Sequence, residues 1–225
     1  MDTFEVNAQN RIQRYPQRGH YDKATVYSIL DAGLICHATY RHAGGLTTTP
    51  RLYARRGDTL LFHGSPQSGF MRAVAEGQEI ICSVALADGL VVTKAVANLA
   101  LNYRSVVLFG HGRLLHEADE KREALRAFTE RLAPGHWQAD NAPSPRALDA
   151  VAVAEIVIEQ AAAKIRNGMP DDQPAYRDLP LWAGYLPLRL AAGEPQPAAY
   201  ASPQARPFRA PAFLATETPP ARSDD

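Results

Sequence analysis

Between residues 34 and 115 the chain offers six strand-like runs, and little but turns lies between most of them. The runs are "LICHATY", "LTTTPRLYAR", "DTLLFHG", "QEIICSVAL", "LVVTKAVAN" and "RSVVLFGHGRLL", punctuated by Gly44-Gly45, Gly57-Asp58, Gly77 and Asp88-Gly89. A parallel sheet needs a crossover, usually a helix, after nearly every strand, and those helices are missing. Short strands joined directly predict an antiparallel sheet that curls into a barrel. Within it, "SVALADGLVVTK" reads as a hairpin, because Asp88-Gly89 suits a tight type I′ turn.

Helices flank this core. "YDKATVYSILDAG" predicts a helix capped by Asp22, with Val26, Ile29 and Leu30 as its apolar stripe and Gly33 at its end. "EADEKREALRAFTERL" predicts a second, with acidic residues in its first turn, Leu125, Phe128 and Leu132 as its stripe and Pro134-Gly135 at its stop. "AVAVAEIVIE" is rich in β-branched residues and reads as one more strand, with a helix as the competing reading. The class is therefore mainly β with α (α+β). Residues 1–20 read as a polar arm, 21–193 as the domain, and 194–225 as a Pro/Ala-rich tail. The tail is expected to be disordered, since it cannot bury enough apolar surface to offset its ordering entropy.

Charge excludes some functions. Lys plus Arg and Asp plus Glu both number 24 in 225 residues, which leaves no bulk attraction for nucleic acid. Cys36 and Cys82 lie in apolar runs and form no CxxC, so buried thiols are expected and a zinc site is not. No basic start precedes an apolar segment and no apolar run reaches about 18 residues, so a cytoplasmic protein without a membrane span is expected.

The stretch "FHGSPQSGFMRAV", 62–74, carries the clearest chemistry. A buried strand stops at His63 and Gly64, and Ser65, Ser68 and then Arg72 follow. Gly64 lets the backbone approach a ligand, the two hydroxyls donate, and Arg72 returns one turn later to fork onto an anion. Gly-Ser-Pro is equally an ordinary loop. There is no P-loop, nucleophile elbow or GxGxxG turn. Asn102, Tyr103, Arg104 and Ser105 cluster at a strand start, either as a solvated end or facing a ligand. Trp182 and Tyr185 sit among prolines in "LPLWAGYLPL". His37, His42, His111, His116 and His136 have no partner at ligand spacing.

Taken in order, "RYPQRGHYD" (14–22), "LYARRGDTLLFHGSPQSGFMRAV" (52–74), "ICSVALADGLVV" (81–92), "NYRSVVLFG" (102–110), "EKREALRAFTERLAPG" (120–135), "KIRNGMPDD" (164–172) and "LPLWAGYLPL" (179–188) resemble the FMN-binding split-barrel proteins. These are related to pyridoxamine 5′-phosphate oxidase, and the likeness is to the branch of the nitroimidazole-resistance proteins. The resemblance implies a split β-barrel and FMN, sometimes FAD, in a cleft between two barrels of a homodimer. It places Ser65, Ser68 and Arg72 at the flavin phosphate, with His63 and Gly64 on the same strand end. Arg51 and Leu52 would lie along the isoalloxazine, with Asn102, Arg104, Ser105 and Trp182 approaching it, some from the partner. Two positions depart from the family pattern: Asn98 and Leu99 replace a common His-His pair, and Gly69 replaces a common cation. The first removes an obvious proton donor or haem ligand; the second is expected to weaken FMN binding. A flavin-dependent oxidoreductase acting on a small molecule is the function implied. A haem-binding split barrel and a non-catalytic flavin-binding or sensing module are the alternatives. Oxidation of pyridoxamine phosphate itself is not expected, as no second phosphate site is identifiable.

Overall fold

Asp22 caps the first helix: its Oδ1 accepts from the Thr25 amide at 2.8 Å in the computed structural model, which describes residues 2–202, 204 and 208–214. The capped helix, α1 (Lys23–Ala32), buries Val26, Ile29 and Leu30. The strands that follow form two antiparallel sheets. The larger runs β1 (Gly19–His20), β10 (Gln160–Arg166), β7 (Ala100–Gly110), β6 (Ile80–Val92), β2 (Ile35–His42), β3 (Gly45–Leu52), with β11 (Gly184–Pro187) added to the far end of β6. The smaller runs β4 (Ala54–Arg56), β5 (Thr59–Gly64), β9 (Ala152–Val157), β8 (Gly112–Leu114). The remaining helices are α2 (Gly69–Ala75), α3 (Ala118–Leu132), α4 (Pro145–Ala150) and α5 (Pro174–Arg177). With its two curled antiparallel sheets and flanking helices, this is an α+β split barrel.

Alternation places the core. Cys36, Ala38 and Tyr40 of β2, Cys82 and Val84 of β6, and Val106 and Leu108 of β7 face inward and meet Leu60 and Phe62 of β5. Leu61 of β5 and Val153 of β9 point the other way, under Ala124 and Phe128 of α3. The smaller sheet thus lies between the barrel interior and α3. Phe70 plugs α2 into the barrel, with its ring edge-on to Phe62 at 5.1 Å and to Tyr40 at 5.7 Å. That anchoring fixes where the 64–72 loop stands.

The expected hairpin at Asp88-Gly89 is corrected. β6 runs straight through, and the register against β7 shifts between Ala87 and Gly89, so Asp88 is the extra residue of a β-bulge. Three partners hold it there: its carboxylate takes the Arg104 guanidinium, and its carbonyl accepts from Tyr185 Oη at 2.5 Å and from the Leu188 amide at 3.0 Å. Of "LVVTKAVAN", only Leu90, Val91 and Val92 belong to β6; the rest leads into β7. "LTTTPRLYAR" and "RSVVLFGHGRLL" each divide between the sheets, at Tyr53 and at His111.

In the arm, Phe4 and Asn10 are buried and Gly19-His20 pairs with Lys164-Ala163. In the tail, Ala212–Leu214 forms a short turn and the Phe213 ring lies 4.6 Å from the Arg131 guanidinium carbon. Residues 203, 205–207 and 215–225, to which the expectation of disorder also applied, lie outside the described residues. No helix among the described residues is long and apolar enough to cross a membrane.

Candidate functional site

The 64–72 corner is built from its own side chains. Gly64 ends β5 opposite Ala152 of β9. The Ser68 amide donates to Ser65 O at 3.0 Å, Ser65 Oγ accepts from the Gln67 amide at 3.2 Å, and Ser68 Oγ caps α2 by accepting from the Met71 amide at 3.3 Å. Each hydroxyl accepts in its turn and keeps its own O–H free to donate outward. Arg51 comes from β3 to the same corner. Its guanidinium carbon lies 4.0 Å from the Phe70 ring centroid, and Nε donates to Thr49 Oγ1 at 3.2 Å. Arg72 projects from α2 into solvent. Among the described residues its guanidinium has no hydrogen-bond or ion-pair partner, whereas Arg55 and Arg104 are paired with Asp31 and Asp88. Two hydroxyl donors and an uncommitted cation next to a rigid helix start fit an anionic phosphate.

The other predicted residues stand elsewhere. His63 points to the α3 side of the smaller sheet, its ring edge-on to Phe128 at 4.5 Å. That packing strips water from the imidazole and lowers its pKa, although part of the ring stays exposed. Leu52 lies on the outer face of the larger sheet, opposite Ile35. Ser105 shares that face and donates to Lys164 O at 3.3 Å. Asn102 is buried and occupied: Nδ2 donates to Gly168 O at 3.0 Å, and Oδ1 accepts from Arg166 and from the Gly168 amide. Arg104 is held by Asp88 in the bulge. Trp182 is 65% exposed, in the strip leading to β11. The structure therefore brings Arg51, Ser65, Ser68 and Arg72 to one corner, leaves Leu52 and Trp182 on open surface, and half-buries Ser105.

Asp172 fixes the strip that carries Trp182. Its carboxylate accepts from the Lys94 and Ala95 amides, both at 2.9 Å, while Lys94 Nζ donates to Arg177 O and Leu179 O at 2.5 and 2.7 Å. The two backbone donors hold the Asp172 carboxyl below its ordinary 3.8. A depressed folded-state pKa means stabilisation that is complete above the unfolded value and lost as pH falls through the folded one. Asp172→Ala is expected to lower the urea midpoint at pH 7, with the gap to wild type closing below about pH 4. A gap that stays constant with pH would show that the carboxylate's charge plays no part.

Sequence reasoning did not single out Arg41 and set His42 aside; the structure places both on the wall of one cleft. The β2–β3 hairpin turns at Ala43 and Gly44, φ 50° and 81°, as a type I′ turn requires. Between its tip and α2 opens a cleft of about 380 Å³, lined by Arg41, His42, Gly69 and Arg72 among others. The sequence signals a turn there, but nothing in it shows that α2 packs alongside.

Residues 22–165 match the model of the family described as pyridoxamine 5′-phosphate oxidase. The chain belongs to that family. The solved structure of the flavocytochrome Anf3 from Azotobacter vinelandii superposes with a TM-score of 0.82 at 32% identity, over 92% of this chain and 95% of that one. The FAD and heme binding protein from Mycobacterium smegmatis follows with a TM-score of 0.78 at 29% identity, over 84% and 93%. A 5-nitroimidazole antibiotic resistance protein candidate from Bacteroides thetaiotaomicron shares the fold at a TM-score of 0.54 and 20% identity, over 65% and 86%. No curated protein matches significantly. The family fold explains why the corner is a strand-end loop on a barrel and not a Rossmann turn.

Proposed function

We propose that this chain is a flavin-binding redox protein that works as a homodimer, with the flavin phosphate held by Ser65, Ser68 and Arg72. The observation that carries the reading is Arg72, without a partner among the described residues, beside two outward hydroxyls at the end of β5. Membership of the oxidase family and the likeness to a flavocytochrome support it. Bound flavin would supply hydride or electron transfer. The protein's part is to grip the phosphate, to lay Leu52 along the ring system and to exclude water. A dimer would supply the exclusion. Ile35, Leu46, Leu52 and Val107 crowd one exposed sheet face, and Leu99, Leu181 and Trp182 add further apolar surface that a monomer would leave wet.

Haem as a second group is favoured by two relatives near 30% identity whose descriptions name a flavocytochrome and a FAD and heme binding protein. His37 is the imidazole best placed for it. It stands on the same outer face, opposite Pro50 and Ser83, one pleat from Ile35. An exposed imidazole with apolar neighbours suits an axial ligand.

Flavin titration of Arg72→Ala tests the corner. Affinity is expected to fall by about 10- to 100-fold, the loss of one charged hydrogen-bonding partner. Unchanged affinity would remove the phosphate assignment.

A further inference from the structure

The arm before α1 concentrates positive charge at the edge of the larger sheet. Residues 11–21 carry Arg11, Arg14 and Arg18 and no carboxylate, and residues 160–170, which hold β10 and its exit, add Lys164 and Arg166, again with no carboxylate. The arm is closed on itself here. Tyr21 Oη accepts from the Ile12 amide at 2.8 Å, and the Arg18 amide donates to Tyr15 O at 3.0 Å. Ile12 packs so tightly on Gly19 that a Cβ there would lie 3.0 Å from its Cγ1. β1 then sets Gly19 beside Lys164.

Tyr15 gathers the cations. Its backbone sits at φ 55° and ψ 61°, in the left-handed region that residues other than glycine seldom adopt. The Arg14 and Arg18 guanidinium carbons lie 5.2 and 4.3 Å from its ring centroid, and Lys164 Nζ donates to Arg14 O at 2.8 Å. Their field reaches the Tyr15 hydroxyl and lowers its pKa below the ordinary 10.0, with Arg14 the main cause and Arg18 and Lys164 adding to it. Because Ala163 and Ile165 face the core, Lys164 and Arg166 face outward. Arg166 is held by the neutral Asn102. None of these four cations forms an ion pair among the described residues, whereas Lys23, Arg55, Arg104 and Arg113 all do.

We propose that Arg14, Arg18, Lys164 and Arg166 form the docking surface for an acidic one-electron carrier protein that reduces the bound flavin. The inference rests on the flavin reading above and adds the kind of partner that supplies the electrons. Each encounter moves one electron from the carrier's metal to the flavin; two encounters complete the reduction, with protons taken from water. Lys164 stands opposite Ser105 of β7, so the patch borders the outer sheet face that carries Val107 and Leu52 but lies beyond it, at the edge strand β1. Exposed cations fixed on a closed loop repel one another until a negative surface arrives, and they attract it over a distance. Encounters between redox proteins are of that kind, small in area and transient. Nucleic acid is less apt, since the whole chain balances 24 basic against 24 acidic residues. A membrane is less apt too, as Tyr15 alone among these side chains offers an apolar body to insert.

Isothermal titration of an acidic two-iron ferredoxin into the full chain tests the surface without requiring flavin to be bound. Micromolar binding is expected at about 20 mM salt, weakening at least about tenfold at about 200 mM as screening shortens the reach of the patch. Arg14→Gln combined with Arg18→Gln should weaken it about fivefold or more at the lower salt. Arg126→Gln combined with Arg146→Gln removes the same charge from exposed positions on α3 and α4, and should change binding by less than about twofold. The salt dependence of wild type reads the same surface with no substitution at all. No binding at the lower salt, or equal losses from the two pairs of substitutions, would overturn the proposal. So would tighter binding of single-stranded oligothymidylate or of phosphatidylserine vesicles by the same arginines, which would give the patch to nucleic acid or to membrane. A chain that binds ferredoxin and takes up no flavin would overturn the flavin reading and keep the surface. One that takes up flavin and binds no ferredoxin would overturn the surface alone.

Discussion

Gly110→Ala will cost this protein most of its stability. β7 of the larger sheet ends at Gly110, where the chain crosses to the smaller sheet. A Cβ there would lie 1.8 Å from Val157 O and 3.0 Å from its carbonyl carbon. Both atoms are backbone, and their surroundings are pinned on either side. The Val157 amide donates to His111 O at 2.9 Å, and the Glu159 amide donates to Phe109 O at 3.1 Å. No rotamer change relieves a clash with a fixed carbonyl, so the two sheets must part where they join. A loss of more than about 4 kcal/mol is expected, with most of the protein insoluble on expression. Soluble yield and a urea melt check this; a midpoint close to wild type would mean that the crossing is looser than the distances indicate.

Arg131→Ala should also be strongly damaging. The guanidinium enters from the last turn of α3 and donates to Asp31 O at 3.0 Å, Leu30 O at 3.2 Å, Tyr53 O at 3.3 Å and also to Gly33 O. Three of these carbonyls belong to the C-terminal end of α1, which an α-helix leaves without internal donors. The cation also lies over the Tyr53 ring at 5.4 Å and the Phe213 ring at 4.6 Å. Burial lowers its pKa, yet an arginine stays charged at any physiological pH. Alanine leaves several carbonyls short of donors, and a loss of about 3 kcal/mol is expected in urea denaturation. Arg131→Lys should recover only part, because one ammonium cannot reach four acceptors spread around a planar fork. A loss under about 1 kcal/mol for alanine would show that water replaces the guanidinium freely.

Much of the barrel was legible because its strands announce themselves by alternation and by glycine turns. Asp22, the α1 stripe and the acidic start of α3 were readable for the same local reason. Asp88-Gly89 misled because the pair serves a bulge as readily as a tight turn. What decides between them is Arg104 and Tyr185, which reach Asp88 from 16 and 97 residues away. β10 escaped notice because "QAAAKIR" lacks β-branched bulk until Ile165; its alanines are small so that the barrel can close against β7. At the proposed site, Ser65, Ser68 and Arg72 follow one another closely, and their chemistry alone puts them forward. Asn102 carries the same polar signal, but its partner is Gly168, which no local pattern reveals. The cleft walled by Arg41 and His42 becomes visible only when α2 is placed beside the hairpin.

Native mass spectrometry of the full chain after incubation with equal FAD, FMN and haem tests the central claim most directly, since it reads assembly and cofactor together. The account predicts a dimer carrying two flavins, and haem in addition if His37 is a ligand. A monomer or dimer that retains no flavin mass would contradict it, leaving a family member that has kept the barrel without the chemistry.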